Sequence, residues 1–312
     1  MKKLLILALA LASTITLHAQ QPGGGRGAQQ PLTPEEQALQ DKRRAAAALA
    51  DGVRPIPMLD TVWIEEQTWM ETRDSIAAGK TTAIIGSGGV EKNGPYNANG
   101  KHNYVLRSTC DAIARKLGNA LCAPIITMEP GNIEGRGGVV TPGSVLITQD
   151  TYKAILRDMS TSLKNMGFRN IVMIADSGSN VTGMTDVTKE LNAKWNGNPT
   201  RVFYITEYYT QDIWSFDYLK DIGIFQKPDT RSATRWDIHD DYHYESLVAL
   251  TDPRLIRAEQ RLKAGKFVIN EVEIGSIDKM IANGRKLLEY RAKITVDAVN
   301  KAMAEWKPPT QP

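Results

Sequence analysis

The stretch GFRNIVMIADSGSN, residues 167–180, sets the fold. Gly167 closes a helical pattern running from Gln149 to Met166, and Asn170 to Ala175 is a short, nearly all-apolar run that reads as a strand. Its end is polar at once: Asp176, Ser177, Ser179 and Asn180 follow, and a helix pattern resumes around Val181 to Trp195.

Working outward, the same grammar repeats. A helix with Trp69, Met70 and Ile76 runs from Trp63 to Ala78, Gly79 stops it, and Thr81 to Ile85 is β-branched. A helix from Asn103 to Leu117 ends at Gly118 before a strand from Ala120 to Thr127, and a further strand spans Arg201 to Thr206. Helices alternating with short apolar strands predict an α/β fold, a three-layer α/β/α arrangement with a mainly parallel central sheet. Ligands in such sheets sit at the carboxyl ends of strands, so the segments after Ile85, Thr127, Ala175 and Thr206 are the ones to search. Beyond Tyr209 the pattern turns irregular and rich in Trp, Tyr, Asp and His, until helices return from about Tyr244.

The N-terminus fixes the expected compartment. Lys2 and Lys3 precede the apolar run Leu4 to Ala12, and small residues end near Ala19. This is the pattern of a signal peptide over 1–20, too short for a membrane span, so a periplasmic or secreted protein is expected. Residues 21–32 are rich in Gln, Gly and Pro and read as a flexible tether. Thr33, Pro34 and Glu36 make a capping box that opens a helical arm over 33–55, and 56–312 forms the α/β domain with its C-terminal helices.

Charge narrows the partners. Loss of the leader removes two lysines and no acids, leaving 36 basic against 35 acidic groups, a net charge of +1. A near-neutral chain without Lys/Arg blocks has no electrostatic footprint for nucleic acid or an anionic membrane, which leaves a small-molecule substrate as the expected partner. The cysteines, Cys110 and Cys122, fall on a predicted helix and the next strand. An exported context permits a disulfide, but two buried thiols is the expectation from sequence.

Four segments carry side chains capable of chemistry. In the glycine-rich turn from Gly86 to Pro95, Glu91 suits a metal ligand or general base, the plain alternative being a solvated loop acid. Asn97, Asn99, Lys101, His102 and Asn103 form a dense polar set at a helix start. Asp176, Ser177 and Asn180 lie where a carboxylate, hydroxyls and a helix N-terminus converge, a place that binds anions or reacting groups unless it is only an N-cap cluster. Residues 235–246 hold two His, three Asp and one Glu in twelve positions. With His18 in the leader, His102, His239 and His243 are the imidazoles available for metal binding or proton transfer.

In this order the four segments resemble the creatininase family, over about Leu59 to Ile256. The turn Gly86-Ser87-Gly88-Gly89-Val90-Glu91-Lys92-Asn93-Gly94-Pro95 is similar to the family's G-S-x-E-Q-H-G-P with two residues extra, and Asn99-Gly100-Lys101-His102 to its L-G-T-D. Thr141-Pro142-Gly143-Ser144 resembles F-P-G-T, residues 175–180 resemble N-G-H-G-G-N, and His239 to Ser246 resembles H-x-G-x-x-E-T-S.

The resemblance implies hydrolysis of cyclic amides and related C–N bonds by two divalent metals, in a homo-oligomer. Residue by residue it leaves Glu91 unchanged but puts Asn93 for a ligand His, His102 for the bridging Asp and Ser177 for the second His. An imidazole lone pair serves one ion, so the expectation becomes a single metal, zinc by preference, on Glu91, His102 and Asp176. His239 matches the family's catalytic His, with Asp176 and Ser177 as further catalytic candidates. Trp236, Asn93, Asn180 and His243 are the candidate substrate contacts.

Two alternatives stand beside this expectation. One is a serine esterase built on Ser177, His243 and Asp240; the other is a noncatalytic ligand-binding or scaffold protein that kept the fold and lost its metals.

Overall fold

The computed structural model describes residues 33–34, 37–38, 52–226, 241–269 and 272–307, excluding the side chains of 211–214. The expected leader and tether lie outside the described residues. Of the expected arm, Pro34, Gln37 and Ala38 are helical, and the Gln37 amide donates to the Thr33 carbonyl at 2.8 Å. A separate compact unit begins at Arg54.

That unit opens with helix α1 (Trp69–Ala77). The helix starts later than the sequence suggests because Thr68 and Glu71 form a capping box: the Glu71 amide donates to the Thr68 hydroxyl at 3.3 Å, and Glu71 accepts from the Thr68 amide at 2.7 Å. Trp63, expected in the helix, instead makes a parallel bridge to Cys122 at the sheet edge.

Strand β1 (Thr82–Ser87), helix α2 (Lys101–Leu117) and strand β2 (Ala120–Cys122) follow. The predicted strand from Ala120 to Thr127 is regular only to Cys122: the Cys122 amide donates to Val62, Pro124, next on that side, has no N–H to continue the pairing, and contact with β1 resumes as a single bridge between Ile126 and Ser87. Two short strands, β3 (Glu129–Pro130) and β4 (Leu146–Ile147), pair in parallel beside the main sheet. Helix α3 (Gln149–Met166), strand β5 (Asn170–Ala175), helix α4 (Asn180–Lys194) and strand β6 (Arg201–Tyr204) complete the alternation. The C-terminal part adds helices α5 (Gln211–Asp221), α6 (Tyr242–Thr251), α7 (Ala258–Lys263) and α8 (Ile277–Ala304).

The main sheet is all parallel, in the order β2-β1-β5-β6. The chain moves outward from β1 to β2 on one side and from β5 to β6 on the other. Right-handed crossovers therefore place α2 and α4 on opposite faces. α3 packs with α4, and α2 packs with α6 and α8, which gives the three-layer α/β/α architecture expected from the sequence. The strand order reverses between β1 and β5, so the crevice at their carboxyl ends is the place for a ligand.

The core follows the strands. Ala83, Ile84, Ile85 and Ile171 to Ala175 are all fully buried, with Leu106, Ile113, Leu156 and Val187 from the covering helices. A second cluster gathers Leu247, Val248, Met280 and Leu287 from the C-terminal helices, with Phe267 from the segment after α7, around Val105 of α2. The two cysteines are not free thiols. Cys110 on the buried face of α2 and Cys122 on β2 have Cα atoms 6.2 Å apart, within bridging range, and form a disulfide. Sequence gave no measure of that proximity, which is why the expectation of two thiols is corrected here.

Candidate active site

Three of the sequence-predicted residues meet at the switch point. Asp176 follows β5 directly, Glu91 lies on the loop after β1, and His102 sits in the first turn of α2. His102 Nδ1 is 2.6 Å from Asp176 Oδ1, and its Nε2 is 2.7 Å from Glu91 Oε1, so one imidazole bridges two carboxylates. With both carboxylates ionised, both ring nitrogens donate, which requires the imidazolium.

The loop that delivers Glu91 depends on glycine for space. A Cβ on Gly88 would stand 2.1 Å from Asn103 Oδ1, and one on Gly89 would stand 2.8 Å from Glu129 Cδ. The Gly89 amide donates to Asn103 Oδ1 at 3.2 Å, tying the turn to the start of α2. Asn93 Nδ2 donates to the Ala98 carbonyl at 3.0 Å and the Glu91 carbonyl at 3.1 Å, and Asn180 Nδ2 donates to the carbonyls of Ser87 and Gly88 at 2.9 and 2.8 Å. Both asparagines, expected at the substrate, thus spend their amide donors holding the loop backbone.

Asp176 is fully buried and multiply held. Besides His102 it accepts from the Tyr208 hydroxyl at 2.7 Å and from Arg291 Nη2 at 3.0 Å, both to Oδ2. Arg291, also fully buried, lies with its guanidinium carbon 4.0 Å from the Tyr208 ring centre. At the other end, Lys101 Nζ is 3.3 Å from Glu91 Oε1 and 5.0 Å from the Tyr244 ring centre, and the Tyr244 ring meets that of His102 edge-on. The Glu91 side chain keeps 22% of its exposure while those of His102 and Asp176 are buried, so the chain of hydrogen bonds has its outlet at Glu91.

The titrations follow from these contacts. For Asp176, burial disfavours the charge, but Arg291 and His102 outweigh it and hold the carboxyl below the usual range. For His102, burial and the Lys101 ammonium push downward, while the hydrogen bonds to Asp176 and Glu91 push upward and prevail. Burial lowers Lys101 despite the Glu91 carboxylate.

The remaining site candidates behave differently. Ser177 donates to Glu129 Oε2, as does Ser179 at 2.6 Å, so its hydroxyl is engaged with a buried carboxylate and not with an imidazole. His243 is buried beside Tyr244, its backbone amide capped by Asp241 at 2.8 Å, and burial together with Arg291 lowers its imidazole to about 3. Trp236, His239 and Asp240 lie outside the described residues.

Glu91, His102 and Asp176 do not fit a divalent ion. Both nitrogens of the one imidazole are committed to carboxylates, and each carboxylate already faces a cation, Lys101 or Arg291. Among the described residues no group of three or more His, Cys, Asp or Glu is arranged to hold a metal. Lys101, His102 and Arg291 already occupy the oxygens through which these two carboxylates would reach an ion.

Sequence reading missed Arg291, Tyr208 and Glu129, and it noted Lys101 without giving it a role. Arg291 was legible in part. It falls on the buried face of α8 in the series Gly284, Leu287, Arg291, Thr295, where an ionised side chain needs a partner.

Fold and site together define an open parallel α/β protein with a buried charged cluster at its switch point. The family model of Creatininase, described as creatinine amidohydrolase, matches residues 65–286, and the chain belongs to that family. Creatinine amidohydrolase of Pseudomonas putida is 20% identical over 269 residues, covering 81% of this chain and all of that protein. Solved structures agree in fold. A creatinine amidohydrolase (creatininase) has a TM-score of 0.52 at 21% identity over 81% of this chain and all of that one. A creatininase with Mn gives 0.53 at 19%, and a mutant creatininase of Zn-Zn type gives 0.54 at 20%, each over 80% of this chain and all of its own.

Proposed function

We propose that the protein is an exported hydrolase acting on a C–N bond of a small molecule, a cyclic amide or a related ring, with Glu91, His102 and Asp176 as its proton-handling line. The observation that carries this reading is the pair of short contacts from His102 to Glu91 and Asp176, with Glu91 alone open to solvent.

In this reading Glu91 takes a proton from the attacking water and keeps it until the leaving nitrogen needs it, the His102 imidazolium orients the Glu91 carboxylate, and buried Asp176 holds the imidazolium in place. The Lys101 ammonium beside Glu91 adds positive charge to the side of the site where the oxyanion forms when water adds to the carbonyl. The proton returns to the ring nitrogen as the C–N bond breaks. Export is supported by the leader pattern and by the Cys110–Cys122 disulfide, a bond that persists in oxidising compartments. N-terminal sequencing of exported protein should start near residue 21; a mature chain beginning at Met1 overturns export. No helix among the described residues is long and apolar enough to cross a membrane.

The test is turnover of a panel of five- and six-membered cyclic amides. Loss of positioned acid/base help in Glu91→Gln and His102→Asn should cost about 10² or more in rate. Full activity in both variants overturns the assignment of roles.

A second reading, a noncatalytic ligand-binding protein, is favoured by one observation: Ser177, standing where the resemblance expects a ligand His, is closed onto Glu129. Tight binding of a ring amide by calorimetry with no turnover in any member of the panel would select it. The serine-esterase reading loses its support, because the hydroxyl of Ser177 has a carboxylate as partner.

A further inference from the structure

Glu91 and Asp176 reach the two nitrogens of one imidazole from two strand ends. What they meet there is Lys101, with its side chain 1% exposed, and Arg291, with its side chain fully buried. Arg291 comes from α8, and Lys101 and His102 from the start of α2, so the cations are delivered by three positions on two elements.

A charge buried this deeply is costly unless paired. Each basic group here has its carboxylate, and each carboxylate its basic group. Tyr208 and Tyr244 close round them: Arg291 stacks on Tyr208, and Lys101 lies over Tyr244. On the other flank the two serine hydroxyls donate to the buried carboxylate of Glu129.

From this geometry we infer that Lys101 and Arg291 are the resident cations of the site, and that no divalent metal binds on Glu91, His102 and Asp176. The inference rests on the proposed function only for which pocket meets the substrate. It leaves open to separate test whether that pocket hydrolyses or merely binds.

The experiment uses the full chain without a polyhistidine tag, incubated with ZnCl2 or MnCl2, desalted, and assayed for metal by mass spectrometry alongside thermal unfolding. Wild type should retain below about 0.1 ion per chain and unfold at the same temperature with metal or with EDTA, whereas an ion present at 100 times its Kd would raise the midpoint by several degrees.

Lys101→Met removes the competing ammonium beside Glu91 and should unfold at a higher temperature with zinc than with EDTA. Lys101→Arg keeps the charge and should stay indifferent to metal.

Stoichiometric metal in wild type that is lost in Glu91→Gln overturns the inference, whereas metal that survives Glu91→Gln sits elsewhere and leaves it standing. A Lys101→Met protein as indifferent to zinc as wild type overturns the role of Lys101. Should Lys101→Met fail to fold, the wild-type and Glu91→Gln stoichiometries still decide. Failure of the hydrolase reading shows separately, as absence of turnover on every ring amide with the metal content unchanged.

Discussion

Asp176 and Ser177 are consecutive residues at the end of one strand, yet they enter opposite kinds of surroundings. Asp176 faces α2 and α8 and joins a line of charges, His102, Arg291 and the Tyr208 hydroxyl. Ser177 joins Glu129 and Ser179, where one carboxylate is satisfied by hydroxyls and no cation among the described residues pairs with it. The difference shows how a strand end divides labour. One side is an ionic line with an outlet at Glu91, suited to moving protons; the other is a neutral-donor clasp, suited to fixing β3 against the start of α4.

The largest effect expected from breaking this contrast is at Asp176. Asp176→Ala leaves Arg291 and the His102 imidazolium without their buried partner, and breaking such a pair typically costs about 3–5 kcal/mol, so urea unfolding should show a loss of that order. A loss below about 1 kcal/mol, the range of exposed pairs, would mean that the ionic side is not a tightly coupled unit.

The clasp should respond less. Ser177→Ala leaves Glu129 its contact with Ser179 and should cost about 1 kcal/mol, while the Ser177→Ala/Ser179→Ala double variant leaves the carboxylate without hydroxyl donors and should cost about 1–3 kcal/mol. Equal losses in the single and double variants would show that Ser179 does not share the carboxylate.

The smallest and most gradual effect is on pH dependence. Folded His243 resists protonation down to about 3, whereas in the unfolded chain it titrates near 6.5. Below 6.5 the unfolded state therefore binds the extra proton, and stability should fall as the pH drops from 6.5 towards 3. His243→Asn should flatten that limb in urea titrations at a series of pH values. His102 acts in the opposite sense: its raised value gives stability that is fully present below 6.5 and lost as the pH rises through the folded-state value. An acid limb of equal slope in wild type and His243→Asn would remove His243 from this accounting.

Much of the fold was legible because its signals are local. Gly118 and Gly167 end their helices in left-handed conformations, and the strand Asn170–Ala175 and helix Gln149–Met166 have the limits read from sequence. The misread edges each had a specific competitor: the capping box at Thr68 delayed α1, and Pro124 cut short the pairing after Cys122.

The site was legible in its acids and its imidazole, since Glu91, His102 and Asp176 sit at positions that strand ends make predictable. Their cations were not, because Arg291 arrives from 115 residues away and Tyr208 from a turn with no motif. The structure also gives Asn93 and Asn180 a role that sequence cannot express, since their amide groups donate to backbone carbonyls of the loop that carries Glu91.

The most direct test of the side-chain cations is diffraction from crystals soaked in zinc and manganese, with anomalous maps at both absorption edges. The expected result is no anomalous peak within coordination distance of Glu91, His102 or Asp176, with Lys101 on Glu91 and Arg291 on Asp176. A peak about 2 Å from the Glu91 carboxylate and a His102 nitrogen, with Lys101 turned away, would contradict it.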